Sequence, residues 1–178
     1  EVLDGLARLG AFGIKIPKEY GGLGLSQANY CRAAVLLGSH CGNLSALISA
    51  HQSIGIPQPL LMFGTEGQKR EYLPRIAAGE ISAFALTEEG VGSDPAKMET
   101  TAELSEDGSH FLLNGRKLWC TNGTRAGVLV VMARTASKMV KGKERRQITA
   151  FIVETGWPGV TVERRCYFMG LKSLYNGV

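Results

Sequence analysis

The chain has 178 residues, of which 44% are hydrophobic and 20% are charged, and its formal net charge is +4. This composition is ordinary for a soluble globular protein, and no apolar run approaches the roughly 20 residues that span a bilayer. The charge is modest and no basic stripe is interleaved with aromatic residues, which argues against nucleic acid as a partner. The four cysteines show neither a C-x-x-C spacing nor a cluster with histidine, so we predict no metal site and a reduced, intracellular protein.

The first 80 residues have the periodicity of helices. Ser26 is a candidate N-cap, and Thr65 with Gln68 three residues later has the pattern of a capping box. Pro57 and Pro59 are expected to limit or kink the helix before them. The predicted helices cover about residues 2–12, 26–38, 44–54 and 66–78, the last bent by Pro74 and closed by Gly79.

Near Ile81 the hydrophobic period changes from 3.6 to 2, which indicates strands. Ser105–Gly108 has the composition of a hairpin turn, and Lys138–Arg146 is predicted to be a basic loop between two strands. Helices followed by strands predict an α+β fold with a helical domain over 1–80 and a β-barrel or sandwich domain over 81–178. The predicted strands cover residues 81–86, 111–119, 128–133, 148–153 and 160–163.

Phe84–Asp94 leaves a strand and enters a turn with two glycines, Gly90 and Gly92. Such a turn lets successive backbone N–H groups converge on an anion, and Thr87 and Ser93 add hydroxyl donors. The segment is not a Rossmann fingerprint, because the third glycine and the following helix are missing. From spacing alone, a plain β turn is the favoured explanation of the segment.

The second informative segment is Leu118–Gly123, which contains Trp119 and Thr121. On a strand, residues two apart point to the same face. An indole and a hydroxyl together would suit a flat heteroaromatic ligand with a polar edge, although an ordinary core tryptophan has the same signature.

These two segments together resemble the flavin-binding signatures of acyl-CoA dehydrogenases. Pro17–Leu25 and Tyr72–Glu80 match that family too, so four blocks in the right order cover essentially the whole chain. The resemblance implies the α+β fold above, with a C-terminal helical bundle that is absent from this chain. It also implies FAD as cofactor and oxidation of fatty acyl-CoA thioesters to trans-2-enoyl-CoA.

The resemblance also assigns roles to individual residues. It implies that Leu86 and Thr87 face the flavin ring edge, that Gly92 and Ser93 reach the pyrophosphate, and that Ser93 also touches the CoA part of the substrate. Trp119 would pack on the ring system, and Thr121 would donate a hydrogen bond near flavin N5. Glu89 departs from the family, which usually has proline there. The full set of implied flavin contacts is Phe84, Leu86, Thr87, Gly92, Ser93, Trp119 and Thr121.

Ala50–Gly55 is similar to the corresponding run of long-chain and very-long-chain relatives. Medium-chain relatives close the acyl pocket with a glutamate near the position of Ala50, so a small residue there implies a deeper pocket and a substrate contact at Ala50. His51, on the same apolar helix, is expected to be a buried, hydrogen-bonded histidine.

No catalytic base is predicted within the chain. Glu88 and Glu89 could be proposed as an acid/base pair, but adjacent residues on an extended segment point to opposite faces. The family's catalytic glutamate comes from the C-terminal domain, beyond residue 178. The chain starts at Glu1 and ends at Val178 without a terminating signal, so we expect a piece of a longer protein that is inactive alone.

The resemblance further implies an acyl-CoA substrate, an electron-transferring flavoprotein as electron acceptor, a homodimer or homotetramer, and a bacterial cytoplasmic or mitochondrial matrix location. An acyl-CoA oxidase or flavin monooxygenase-like relative is the nearest alternative. Two further alternatives are a non-catalytic binding or assembly module and a β domain that never binds flavin.

Overall fold

The computed structural model describes residues 1–177, so Val178, part of the predicted β domain, lies outside the described residues. Helices occupy the first half of the chain and strands the second, as the α+β prediction requires. The helices are α1 (Val2–Arg8), α2 (Gln27–His40), α3 (Gly42–Ser53), α4 (Pro57–Phe63) and α5 (Glu66–Ala77). The strands are β1 (Ser82–Ala85), β2 (Thr101–Leu104), β3 (Phe111–Asn114), β4 (Val128–Val140) and β5 (Lys143–Glu154).

The helix boundaries that depend on local side-chain chemistry agree with the sequence prediction. The Ser26 hydroxyl accepts a hydrogen bond from the backbone N–H of Asn29 at the start of α2. Thr65 and Gln68 form a complete capping box at the start of α5. Pro57 was expected to limit or kink α3, but it is the first residue of a separate helix, α4, where a missing N–H is tolerated.

The five strands form one sheet in which β4 is the central strand. Strands β1 and β2 pair with β4 in parallel along one edge, β5 pairs with it antiparallel along the other, and β3 lies outside β2. The Ser105–Gly108 turn joins β2 to β3, as predicted.

Two strand predictions and one loop prediction are wrong. The predicted strand over 111–119 ends at Asn114, and residues 160–163 form no strand within the described chain. The predicted loop over 138–146 is mostly strand, because β4 and β5 stay paired up to a turn at Lys141 and Gly142. Both turn residues have positive φ, 51° and 74°, as a tight hairpin turn requires. The paired ends of β4 and β5 are held together by backbone hydrogen bonds, and both of their faces are exposed. Because neither face is buried, the sequence here has no alternating apolar pattern.

Two apolar clusters join the helices to the sheet. The first packs α4 and α5 against β4 and includes Ile56, Leu73 and Val128, each fully buried. The second packs α2 and α3 around Phe12 and reaches Ile81. Among the described residues, no helix has the length and apolarity that a membrane crossing demands.

His51 connects α3 to β1, and it is buried and hydrogen-bonded, as the sequence analysis expected. Its Nε2 lies 3.1 Å from the Phe12 carbonyl oxygen, and its Nδ1 accepts from the Ser82 backbone N–H at 3.1 Å. The ring must therefore carry its proton on Nε2. Burial lowers the pKa of His51 to about 4, and the hydrogen bond to Phe12 only partly opposes that shift.

The buried neutral imidazole predicts a pH-dependent stability. The unfolded chain takes up a proton at His51 near pH 6.5, whereas the folded chain does so only near pH 4. Stability should therefore fall as the pH drops from 6.5 toward 4, by about 2 kcal/mol between pH 7 and pH 5. We expect His51→Gln, whose side-chain amide can still donate a hydrogen bond but does not titrate, to be less stable at pH 7 and to lose this part of the pH dependence.

Urea unfolding of the full-length protein at pH 7 and pH 5 measures the effect. His40→Gln is the matched control, since His40 is exposed and its replacement should leave the wild-type pH dependence intact. Equal pH dependence in wild type and His51→Gln would contradict the prediction.

Candidate functional site

The two signature segments meet at the end of β1. The backbone N–H of Leu118 donates to the carbonyl of Thr87 at 2.8 Å, and the Cys120 thiol donates to the carbonyl of Phe84 at 3.4 Å. An open cavity of about 510 Å³ lies where they meet, and its lining includes Glu88, Leu118 and Trp119. The structure therefore brings Phe84, Leu86 and Thr87 next to the segment that carries Trp119.

Trp119 does not lie on a strand. Its φ is +57°, in the left-handed region, so the argument that Trp119 and Thr121 share a strand face is wrong. The indole instead packs on Phe168, with ring centroids 5.5 Å apart, and stays 47% exposed. A half-exposed indole beside the cavity leaves a broad apolar surface that a flat ligand can cover.

Thr121 has a hydroxyl that is still able to donate. The side-chain amide of Asn176 donates to Thr121 Oγ1 at 3.2 Å, so the Thr121 oxygen is an acceptor in that contact. The hydroxyl proton then remains available for an acceptor on a ligand. This orientation is what the predicted role of Thr121 requires, although the role itself stays a prediction.

The glycine turn is a tight hairpin closed by two backbone hydrogen bonds between Glu88 and Val91, of 3.0 and 3.1 Å. Gly92 and Ser93 follow it and are exposed, and within the described part of the chain their N–H groups donate to no carbonyl. A Cβ added at Gly92 would meet no atom within 4 Å. The backbone here is open to close approach by an anion such as a pyrophosphate.

Ala50 is connected to this region only indirectly, through α3. The Asn122 side chain donates to the carbonyl of Leu47 at 3.1 Å, which ties the segment after Trp119 to α3. Ala50 lies within one helical turn of that contact and is half-buried.

Glu88 and Lys117 were not identified as site residues from the sequence. Glu88 is 6% exposed and is surrounded by donors: Lys117 Nζ at 2.7 Å, the Thr100 N–H at 3.1 Å, the Thr100 hydroxyl and the Glu99 N–H. Burial by itself raises the pKa of Glu88, but the Lys117 ammonium and these hydrogen bonds outweigh it and lower the pKa to about 2. Glu88 is therefore ionised at neutral pH, and its carboxylate is already bound by four donors, which argues against a role as general base. Local sequence patterns do not reveal the pair, because its members are 29 residues apart.

Cys120 lies between Trp119 and Thr121 but carries no reactive thiolate. Burial raises the pKa of its thiol to about 11, so the side chain is a neutral packing group at physiological pH.

Comparison with known proteins identifies the family. Residues 83–177 match the acyl-CoA dehydrogenase middle domain and residues 1–80 match the acyl-CoA dehydrogenase N-terminal domain. The chain therefore belongs to the acyl-CoA dehydrogenase family, as its sequence motifs indicated.

Two curated relatives show the range of the similarity. A probable acyl-CoA dehydrogenase, FadE10, of Mycobacterium tuberculosis is 55% identical over 178 residues, which are 100% of this chain and 27% of the relative. The mitochondrial very long-chain specific acyl-CoA dehydrogenase of Rattus norvegicus is 43% identical over 97% of this chain and 27% of the relative. The chain thus spans about a quarter of the length of these relatives.

Solved structures agree in fold. An acyl-CoA dehydrogenase from Bacillus anthracis, complexed with FAD, superposes with a TM-score of 0.87 at 38% identity, covering 98% of this chain and 28% of that one. The prolyl acyl carrier protein oxidase AnaB superposes with a TM-score of 0.80 at 31% identity, covering 98% of this chain and 45% of that one.

Proposed function

We propose that the full-length protein is an FAD-dependent acyl-CoA dehydrogenase that oxidises long-chain fatty acyl-CoA thioesters to trans-2-enoyl-CoA. The observation that carries the proposal is the junction of the two signature segments, where Leu118 binds Thr87 directly. Family membership supports it, as do the FAD complex of the Bacillus relative and the very-long-chain specificity named for the rat relative.

The residues of the junction fit a flavin. The exposed indole of Trp119 offers an apolar face, the open backbone at Gly92 and Ser93 offers N–H donors, and Thr121 offers a hydroxyl proton. Flavin carries both a flat ring system with a polar edge and a pyrophosphate, which these groups match. The proposed flavin-binding residues are Phe84, Leu86, Thr87, Gly92, Ser93, Trp119 and Thr121.

When bound, FAD supplies the hydride acceptor for oxidation of the acyl chain. The residues of this chain would bind and orient it: Trp119 would cover the ring, Gly92 and Ser93 would hold the phosphates, and Thr121 would donate a hydrogen bond at the ring. Ser93 and Ala50 are proposed to contact substrate, the first at the CoA part and the second along the acyl chain. The general base is proposed to come from beyond residue 178.

An electron-transferring flavoprotein is proposed as the electron acceptor, and a homodimer or homotetramer as the assembly. Because named relatives are both bacterial and mitochondrial, the proposed location is the bacterial cytoplasm or the mitochondrial matrix.

Flavin content tests the proposal directly. We expect the purified full-length protein to absorb in the visible range and to release FAD, not FMN, on denaturation. Palmitoyl-CoA added without oxygen should bleach that absorbance. A colourless protein that takes up no added FAD would overturn the proposal.

The same preparation separates a dehydrogenase from an oxidase, the second candidate that the similarity to AnaB supports. With palmitoyl-CoA in air, a dehydrogenase should form little peroxide and should need an added electron acceptor to turn over. Peroxide produced at the rate of substrate oxidation would favour the oxidase.

A further inference from the structure

We propose that Lys117 and Glu88 form a buried clamp that fixes the Leu86–Glu88 segment against Leu118 and Trp119, and so positions the flavin-binding face. The inference rests on the proposed function for its purpose, whereas the clamp itself stands on contacts within the chain. Because neither side chain is among the proposed flavin contacts, both are positioning residues.

The clamp begins at the ammonium group of Lys117, which binds two points of one short segment. Its Nζ donates to the carbonyl of Leu86 at 3.1 Å and to the carboxylate of Glu88 at 2.7 Å. Thr87, the proposed contact to the flavin ring edge, lies between these two points. One lysine thus constrains the backbone on both sides of Thr87.

A backbone contact completes the clamp from the same side. Leu118, next to Lys117, donates its N–H to the Thr87 carbonyl at 2.8 Å. Three successive residues, 86–88, are therefore each bound by Lys117 or Leu118. Trp119 follows immediately, so its indole is placed relative to Thr87 through two residues of fixed backbone.

Glu88 anchors the clamp from the other side. Its carboxylate accepts from the N–H groups of Glu99 and Thr100 and from the Thr100 hydroxyl, so it also ties the segment to the residues just before β2. The side chains of Lys117 and Glu88 are 11% and 7% exposed. A desolvated ion pair with further hydrogen bonds is costly to break on one side only, because the remaining charge is left buried and unpaired.

The ion pair of Arg75 provides a contrast within the same chain. Arg75 also binds two carboxylates, Glu80 at 2.8 Å and Glu154 at 2.9 Å, but it joins α5 to the sheet. The residues it contacts are outside both signature segments. Loss of Arg75 should therefore reduce stability without changing the flavin face, which makes it a matched control.

The experiment compares Lys117→Met, Lys117→Arg, Glu88→Gln and Arg75→Met in the full-length protein. The first measurement is hydrogen–deuterium exchange of peptides that cover 86–100 and 115–123, in protein stripped of FAD. The second is the dissociation constant of FAD together with the visible spectrum of the bound flavin. Exchange reports the clamp without any cofactor, and FAD binding reports its consequence.

For Lys117→Met and Glu88→Gln we expect faster exchange in both peptides and a shifted flavin spectrum. At metal sites, the groups that orient the ligands contribute about 10- to 100-fold in affinity, and we expect a rise of the same order in the dissociation constant of FAD. Lys117→Arg should have smaller effects on the exchange rates and on FAD binding than Lys117→Met, since it keeps a cation at this position. Arg75→Met should leave the exchange rates of both peptides and the flavin spectrum unchanged.

The inference is overturned if Lys117→Met leaves both peptides exchanging at the wild-type rate. It is also overturned if Arg75→Met accelerates their exchange as much as Lys117→Met does. It is also overturned if exchange accelerates but FAD affinity and spectrum stay unchanged, since the clamp would then position nothing. Should the wild-type protein bind no FAD, the proposed function fails, and the exchange comparison alone decides whether Lys117 and Glu88 fix the two segments.

Discussion

Ala50→Phe is expected to move the acyl-chain optimum of the full-length enzyme from long to shorter substrates. The added ring would fill part of the proposed acyl pocket near α3, and each methylene removed from an apolar pocket is worth about 0.8 kcal/mol. Exclusion of three or four methylenes corresponds to a change of about 50- to 200-fold in the ratio of kcat/KM for palmitoyl-CoA to that for octanoyl-CoA.

Steady-state kinetics with a series of saturated acyl-CoA substrates measures this ratio. Ala50→Gly is the control, because it weakens α3 by about 1 kcal/mol without adding bulk and should keep the long-chain preference. If the wild type already prefers butyryl-CoA over palmitoyl-CoA, Ala50 does not set the depth of the pocket.

Thr121→Val is expected to slow the bleaching of bound flavin by acyl-CoA. The substitution keeps the shape of the side chain but removes the hydroxyl proton that the contact with Asn176 leaves free. Loss of one such hydrogen bond is worth about 1–3 kcal/mol, which is roughly 5- to 150-fold in rate if it is fully expressed in the transition state. The reduction potential of the flavin should shift as well.

Stopped-flow reduction and potentiometry of the full-length protein measure the two quantities. Thr124→Val is the matched control: it is three residues away, and the Thr124 hydroxyl is buried with no hydrogen-bond partner in the described part of the chain. A rate and potential unchanged by Thr121→Val would show that Thr121 is only structural.

The features that the sequence predicted well are those that depend on neighbouring residues. Ser26 and the Thr65–Gln68 box satisfy helix N–H groups within three residues, so their signals are local. The hairpin turn at Ser105–Gly108 is local for the same reason. Pro57 was ambiguous because proline can both end one helix and begin the next, and its position alone does not distinguish the two.

The features that were missed depend on distant contacts. The extended run over 111–119 has strand composition, but positive φ at Trp119 and Asn122 turns the chain, and the surrounding hydrogen bonds to Thr87 and Leu47 come from far along the sequence. The Glu88–Lys117 pair is invisible to local patterns for the same reason. The candidate site was found through four ordered motifs, not through the physical chemistry of any single residue.

The hydrogen bonds of His51 to Ser82 and of Asn122 to Leu47 both cross from the helical half of the chain to the strand half. The apolar clusters cross the same boundary, since Val128 packs with Leu73 and Ile81 packs with Phe12. The boundary near residue 80 therefore separates helices from strands in sequence, whereas both apolar clusters extend across it. The helical half thus supplies part of the apolar core that supports the strands of the flavin face.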